Sequence, residues 1–369
     1  MKQNHLQHSI LAIVLMLLSI GLIMVYSTSA VVSQMDPRTA SPYFFIKKQV
    51  IWAMMAGVAM LFCMDVSYRF VARHAYSIFC VAMVLILLVL IPGIGSEYNG
   101  ARRWIRIAGM GLQPSDFMKI AIVLFIARYV EQNGARMKNF YAGFLPIFSL
   151  VCLVCFCILI EPDFGTACFI GSTSILLLLA AGIEWKHLLP VTLSGLPVVL
   201  LLAIFKFQHI RNRIMIYLNP EMDLLGKGYQ IRQSLIAIGS GGNTGVGLGW
   251  SHQKLFFLSE ESTDFIFSIL GEELGFLGAS FILVLYIILI YYGFKVVRYA
   301  PDVFGKMASL GIVLIIGLQT LFNIAVVTHT IPAKGISLPL ISFGGSGLFF
   351  YMIAIGILLN IAGRCKIDP

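Results

Sequence analysis

Gly239-Ser-Gly-Gly-Asn-Thr-Gly-Val-Gly-Leu-Gly249 runs into Trp250-Ser-His-Gln-Lys254, then Leu255-Phe-Phe-Leu-Ser-Glu-Glu-Ser-Thr-Asp264. From Phe265 the chain is apolar as far as Tyr292, interrupted by Gly271-Glu-Glu-Leu-Gly-Phe276. A glycine-rich polar segment therefore brings Lys254 and three carboxylates, Glu260, Glu261 and Asp264, to the mouth of a helix that carries Glu272 and Glu273. Crossing a bilayer takes about 20 mostly apolar residues, and this segment supplies them. A polar outer loop feeding a transmembrane helix sets the fold class for the rest of the chain.

Apolar runs recur along the whole length. Of the 369 residues 59% are hydrophobic and 12% charged, where soluble domains have roughly 45–50% and about 25%. This composition excludes a soluble enzyme and gives an all-α polytopic membrane protein. It reads as one domain over residues 1–369, with no low-complexity tract or obvious internal repeat. Ten spans are expected, at about 10–32, 50–64, 76–91, 117–128, 140–160, 166–182, 188–205, 265–292, 307–327 and 348–361, with a large outer loop at about 206–263. The fourth and tenth are short for a full crossing. Ser27-Thr-Ser-Ala30 resembles a signal-peptidase site, but the preceding run exceeds the about 7–15 residues of a secretory core, so it is read as an uncleaved helix.

Ten spans put both termini on one side, taken as the cytoplasm. The inside loops then hold fewer than half of the 26 lysines and arginines, so the positive-inside rule gives no vote. Arg102, Arg103 and Arg106 fall in a short outer segment, and Lys206, Arg211, Arg213, Lys227, Arg232 and Lys254 in the long loop. Cations kept outside against this bias point to an anionic ligand there. The net charge of +9 suits such a ligand, anionic headgroups or a basic cytoplasmic face, while so apolar a chain argues against nucleic acid. The seven cysteines lie mostly within apolar runs and read as small buried hydrophobes, and the histidines, His252 and His329 among them, show no metal-ligand spacing.

Each polar motif has two readings. Asn99-Gly-Ala-Arg-Arg-Trp-Ile-Arg106 followed by Gln113-Pro-Ser-Asp-Phe-Met-Lys119 is a cationic loop entering a helix, there to fork around phosphate or to anchor at headgroups. Glu161-Pro-Asp-Phe-Gly-Thr166 is a tight turn explained by its turn residues, Glu161 excepted. The glycine run is a flexible turn or an anion cradle. Asp264 is a helix cap or a working base, with the helix dipole lowering its pKa and Phe265, Ile266 and Phe267 raising it by desolvation. Glu272 and Glu273 are costly at membrane depth and point about 100° apart, so they are not expected to serve one site. Pro332 to Ser346, with two prolines, three glycines and Lys334, is a re-entrant or outer loop.

Gly100-Ala-Arg-Arg-Trp-Ile, Gln113-Pro-Ser, Glu161-Pro-Asp-Phe-Gly-Thr166, Gly228-Tyr-Gln-Ile, Gly239-Ser-Gly-Gly, Thr263-Asp-Phe-Ile-Phe, Gly271-Glu-Glu-Leu-Gly and Ile341-Ser-Phe-Gly-Gly-Ser346 follow Val25-Tyr-Ser27 in an order that resembles the SEDS family (shape, elongation, division and sporulation proteins), which includes FtsW and RodA. The resemblance covers nearly the whole chain. It implies a ten-helix glycosyltransferase in the bacterial cytoplasmic membrane that polymerises lipid II, and it maps the family's essential aspartate onto Asp264. It also implies a class B penicillin-binding transpeptidase (FtsI-like) and other divisome proteins as partners. Gly245 to Lys254 and Lys334-Gly335 are more similar to FtsW, hence a septal role, than to RodA.

On that basis Asp264 would deprotonate the acceptor hydroxyl. Arg102, Arg103, Lys119, Arg213, Lys254 and Lys334 would bind the diphosphates, with Glu161, Glu260, Glu272 and Glu273 as supporting carboxylates. A divalent cation, Mg or Mn, stays open, and no other cofactor is expected. Ser259, Glu261-Ser262, Asn243 and His329 depart from the usual family residues. The competing functions are a lipid II flippase, which would put weight on Glu272 or Glu273, and a non-catalytic scaffold.

Overall fold

The computed structural model describes residues 2–365 except 38, 99, 100, 108, 109, 191, 192, 194–207, 220–222, 224, 225, 256, 333 and 334. Three long helices open the chain, α1 (Lys2–Met35), α2 (Phe44–Asp65) and α3 (Tyr68–Val89). An antiparallel meander of β1 (Gly95–Tyr98), β2 (Ala101–Ile107) and β3 (Met110–Leu112) leads into α4 (Pro114–Asn133). A π turn at Phe140–Phe144 precedes α5 (Leu145–Ile160) and α6 (Phe164–Ala180). The segment expected as a long outer loop contains α7 (Gln208–Leu218) and α8 (Lys227–Ser240), and α9 (Ile266–Tyr299), α10 (Val303–Val327) and α11 (Gly345–Ala362) complete the order.

Local chemistry places the boundaries. Pro114 and Asp116 occupy the first turn of α4, where a missing N–H and a negative charge are both favourable. Asp163 and Asp302 cap α6 and α10 through the N–H groups of Thr166 and Gly305. Among the described residues seven helices are long and apolar enough to cross a membrane, and α6 is a shorter apolar helix. The spans expected at 117–128 and 348–361 are in fact 20 and 18 residues long, because polar and glycine-bearing turns at their ends continue the helix. The span expected at 188–205 lies largely outside the described residues. The cationic segment read as a loop is strand β2, paired Arg106 to Gly111 and Glu97 to Arg102.

The helices form a bundle in which α11 packs along α2, and α10 packs against both α4 and α9. The α11 span is 78% buried against 22% for α2, so α11 is a central helix and α2 faces lipid. One end of the bundle gathers the starts of α4, α9 and α11. The Gln113 N–H donates to Ser346 Oγ at 2.9 Å and the Phe343 N–H to the Ser262 carbonyl at 2.8 Å.

Helix α9 is broken at Gly275, which takes φ 67° and ψ −167°, a conformation open to glycine. The break frees backbone groups that a buried segment must satisfy. The glycine run does so. Val246 and Gly247 donate to the Glu272 and Glu273 carbonyls, each at 3.0 Å, while Phe276 and Leu277 donate to the Gly242 and Asn243 carbonyls at 2.9 and 3.0 Å. A Cβ on Gly245 would lie 2.1 Å from the Glu273 carbonyl oxygen, and one on Gly275 would lie 2.2 Å from the Gly245 nitrogen. The run is therefore a backbone lock on a broken helix.

Candidate active site

Asp264 sits at the end of a chain of tight turns. Buried Leu258 anchors them, Gln230 donates to Ser259, and Glu260 adopts φ 61°. The N–H groups of Thr263 and Phe265 both donate to the Glu260 carbonyl at 3.2 Å. Phe265 is the N-cap residue of α9 and its side chain makes no cap hydrogen bond, so Asp264 stands one residue before the cap position. Against its carboxylate lies the backbone of Gly335, where a Cβ would come 3.0 Å from Oδ2. Burial pushes the neighbouring Glu261 carboxyl up to about 7.

The two glutamates of α9 act together, contrary to the expectation from their directions. Glu272 accepts from the Ser251 hydroxyl and from the His252 N–H at 2.9 Å. Glu273, with no side-chain exposure, pairs with Lys254 Nζ at 2.7 Å and accepts from Ser27 Oγ of α1 at 2.6 Å. Both pin the turn 251–254, because that turn wraps the helix and meets adjacent residues with different atoms. Lys254 is thus a buried partner of Glu273, and its reading as a diphosphate cation is corrected. A buried ion pair of this kind is held by its mutual attraction and its added hydrogen bonds.

A third group lies between α4 and α10. Lys119 Nζ donates to Asp116 Oδ1 at 2.9 Å and to Gln319 Oε1 at 3.4 Å, and it stands 5.4 Å from the centre of the Phe169 ring. Gln319 Nε2 in turn donates to the Ser337 carbonyl at 2.9 Å. The amide therefore links this buried cation to the loop beside Asp264. With Gly347 and Tyr351, Asp116 and Lys119 line a small pocket.

The arginines of β2 divide by strand alternation. Arg102 is exposed and pairs with exposed Glu97 at 3.4 Å, while Arg106 is also exposed. Arg103 turns inward. Its Nε donates to the Glu161 carbonyl at 3.1 Å, a second nitrogen donates to the Pro162 carbonyl, and Nη1 lies 3.9 Å from Asp163 Oδ2. Glu161 is 1% exposed and neither carboxyl oxygen has a hydrogen-bond partner among the described residues. Burial, with Asp163 adding to it and Arg103 opposing it, pushes its carboxyl up to about 8.

The structure thus gathers Asp264 with Gly335, and Lys119 with Asp116 and Gln319, at one end of the bundle. Lys334 and the side chain of Arg213 lie outside the described residues. Among the described residues no three His, Cys, Asp or Glu side chains come together to hold a metal ion. Ser259 accepts from Gln230, and His329, at φ 56°, stands edge-on to Tyr217 of α7 with ring centres 5.0 Å apart. Asn323 and Ser342, which hold the Asp264 segment, were missed. A sequence signal for Asn323 exists, because Gln319 and Asn323 place two amides on one face of an apolar helix.

Known proteins resemble the chain over nearly its full length. The FtsW/RodA/SpoVE family, described as cell cycle proteins, matches residues 7–366. Stage V sporulation protein E of Bacillus subtilis is 41% identical over 350 residues, 95% of each chain. The protein named "Probable peptidoglycan glycosyltransferase FtsW" of Trichlorobacter lovleyi is 39% identical over 360 residues, 98% of this chain and 94% of that one. Among solved structures, a peptidoglycan synthase complex described as coordinating polymerization and crosslinking contains a chain of the same fold, with TM-score 0.78, 24% identity and coverage of 97% and 98%. The rod shape determining protein RodA of Thermus thermophilus superposes with TM-score 0.68 at 23% identity, covering 97% of each chain. With a family match from end to end and such identity to its relatives, this chain belongs to the FtsW, RodA and SpoVE family of multi-pass membrane proteins.

Proposed function

We propose that the chain is a peptidoglycan glycosyltransferase that joins lipid II units into glycan strands at the outer face of the cytoplasmic membrane, with both termini inside, and that it serves the septum. The observation that carries this reading is Asp264: an ionisable group at the mouth of a membrane helix, with the backbone of a glycine, Gly335, against its carboxylate. There it accepts the proton of the acceptor sugar hydroxyl as that oxygen attacks the anomeric carbon, and the lipid diphosphate departs with the bonding electrons. A diphosphate leaves without protonation when cations stand by it. Arg102, exposed and held, among the described residues, only by the exposed Glu97, is the first such cation, joined by Arg213 and Lys334, while Lys119 and Arg103, already paired within the fold, would act by adding positive charge nearby.

A class B penicillin-binding transpeptidase is the proposed partner, supported by the likeness in fold to a chain of the polymerization and crosslinking complex. The flippase reading needs a polar path through the bundle. Asp116, Lys119, Gln319 and Asn323 instead lie within about 12 Å of helix ends at a single end of the bundle, which favours surface chemistry over transport.

The test is glycan-strand formation from purified lipid II, with and without the transpeptidase. Wild-type protein is expected to make polymer and Asp264→Asn to make none. Polymer at the wild-type rate from folded Asp264→Asn would remove the aspartate from the reaction, and no polymer from either, with lipid II crossing reconstituted bilayers, would replace polymerase by flippase.

A further inference from the structure

Three consecutive carbonyl oxygens of the segment that carries Asp264 are held by neighbouring groups. The Ser262 oxygen accepts from the Phe343 N–H at 2.8 Å. The Thr263 oxygen accepts from the Ser342 hydroxyl at 2.6 Å. The Asp264 oxygen accepts from Asn323 Nδ2 at 2.8 Å. Fixing three successive peptide planes leaves the direction of the Asp264 Cα–Cβ bond no freedom, because the backbone has only two soft torsions per residue.

Asn323 reaches both sides of this junction. Its Nδ2 also donates to the Ile336 carbonyl at 2.7 Å, and Ile336 follows the glycine that walls the Asp264 carboxylate. A single amide therefore sets the distance between the carboxylate and the loop beside it. Gln319, one helical turn away on the same face of α10, donates to Ser337 and extends the hold. Asn323 is fully buried, and its Oδ1 has no partner among the described residues. A leucine would spare the fold an unpaired buried acceptor, so the amide has to be explained by its two donated bonds.

We propose that Asn323 is a positioning residue for Asp264: it holds the Asp264 and Ile336 carbonyls together, and Ser342 supports it from the next residue. Asn323 touches no reacting atom. It acts by keeping the carboxylate where the acceptor hydroxyl meets it, and a displacement of about 1 Å at a reacting group costs roughly a hundredfold in rate.

This inference rests on the polymerase reading, and its test separates the two. Full-length Asn323→Leu, Asn323→Gln, Ser342→Ala and Ser342→Thr are compared with wild type for lipid II polymerisation, and amide hydrogen exchange is followed over residues 260–265 and 336–343. Asn323→Leu is expected to lower kcat about tenfold to a hundredfold with KM within about twofold. Asn323→Gln, which keeps the donors, recovers part of the loss, and exchange accelerates only in those two segments. Wild-type kcat in Asn323→Leu, or a Gln variant no better than Leu, overturns the proposal. Should Asn323→Leu not fold, Ser342 decides: Thr, which keeps the hydroxyl, retains kcat and Ala loses it, and equal kcat in both overturns the clamp. If wild type makes no polymer, the polymerase reading fails while exchange still judges the clamp, with unchanged protection at 260–265 in Asn323→Leu counting against it.

Discussion

Gly335 shows how a missing side chain serves the site. It is outside the left-handed region of backbone space, so adding a methyl group there strains nothing but its contact with Asp264 Oδ2, 3.0 Å away. Gly335→Ala is accordingly expected to fold normally and to lower polymerisation roughly tenfold or more by pushing the carboxylate aside. A melting temperature equal to wild type with a reduced kcat is the signature, and an unchanged kcat would show the contact to be slack. The place of Asp264 at the mouth of an apolar helix was legible, and a carboxylate there is a functional candidate on energetic grounds. Gly335 and Asn323 were not. A glycine gains meaning only from what approaches it, and the reach of Asn323 across 59 residues of sequence to Asp264 leaves no trace in local pattern.

At the scale of elements, α9 and the segment before it form one piece, and the Lys254–Glu273 pair is its polar fastening. Breaking a buried pair leaves an uncompensated charge and costs about 3–5 kcal/mol, whereas removing both charges costs far less. Lys254→Met and Glu273→Gln are therefore each expected to lower the melting temperature steeply, and the double variant to recover most of the loss. Thermal unfolding of the four proteins in detergent checks this, and additive losses would mean that the two residues act separately. Most helices were readable from composition, since only a bilayer explains apolar runs of this length. Strand β2 was not, although Arg102, Trp104 and Arg106 alternate with Arg103, Ile105 and Ile107. Its charges suggested a loop and hid the two-residue period. The joint role of Glu272 and Glu273 was missed because helix geometry gives their directions and not the path of the turn that meets them.

For the whole molecule, Glu161 couples folding to pH. Its carboxyl titrates near 4.5 when unperturbed and at about 8 in the fold. Between those values the folded chain keeps a proton that the unfolded chain has released, so this group makes stability fall as pH rises across the window. Glu161→Gln removes the ionisable proton, and its advantage in melting temperature over wild type is expected to grow from pH 5 to pH 8. A gap that stays constant with pH would show that the carboxyl ionises as easily in the fold as outside it.

The break at Gly275 also changes what the bilayer has to accept. Helix α9 ends at Tyr299, so the stretch beyond the break amounts to about 36 Å at 1.5 Å per residue, more than the roughly 30 Å of hydrocarbon. That stretch is long enough to cross the membrane unaided. Insertion therefore never has to draw Glu272 and Glu273 into lipid, and the two carboxylates are free to belong to the water-facing half of the protein while sharing a helix with its greasiest part.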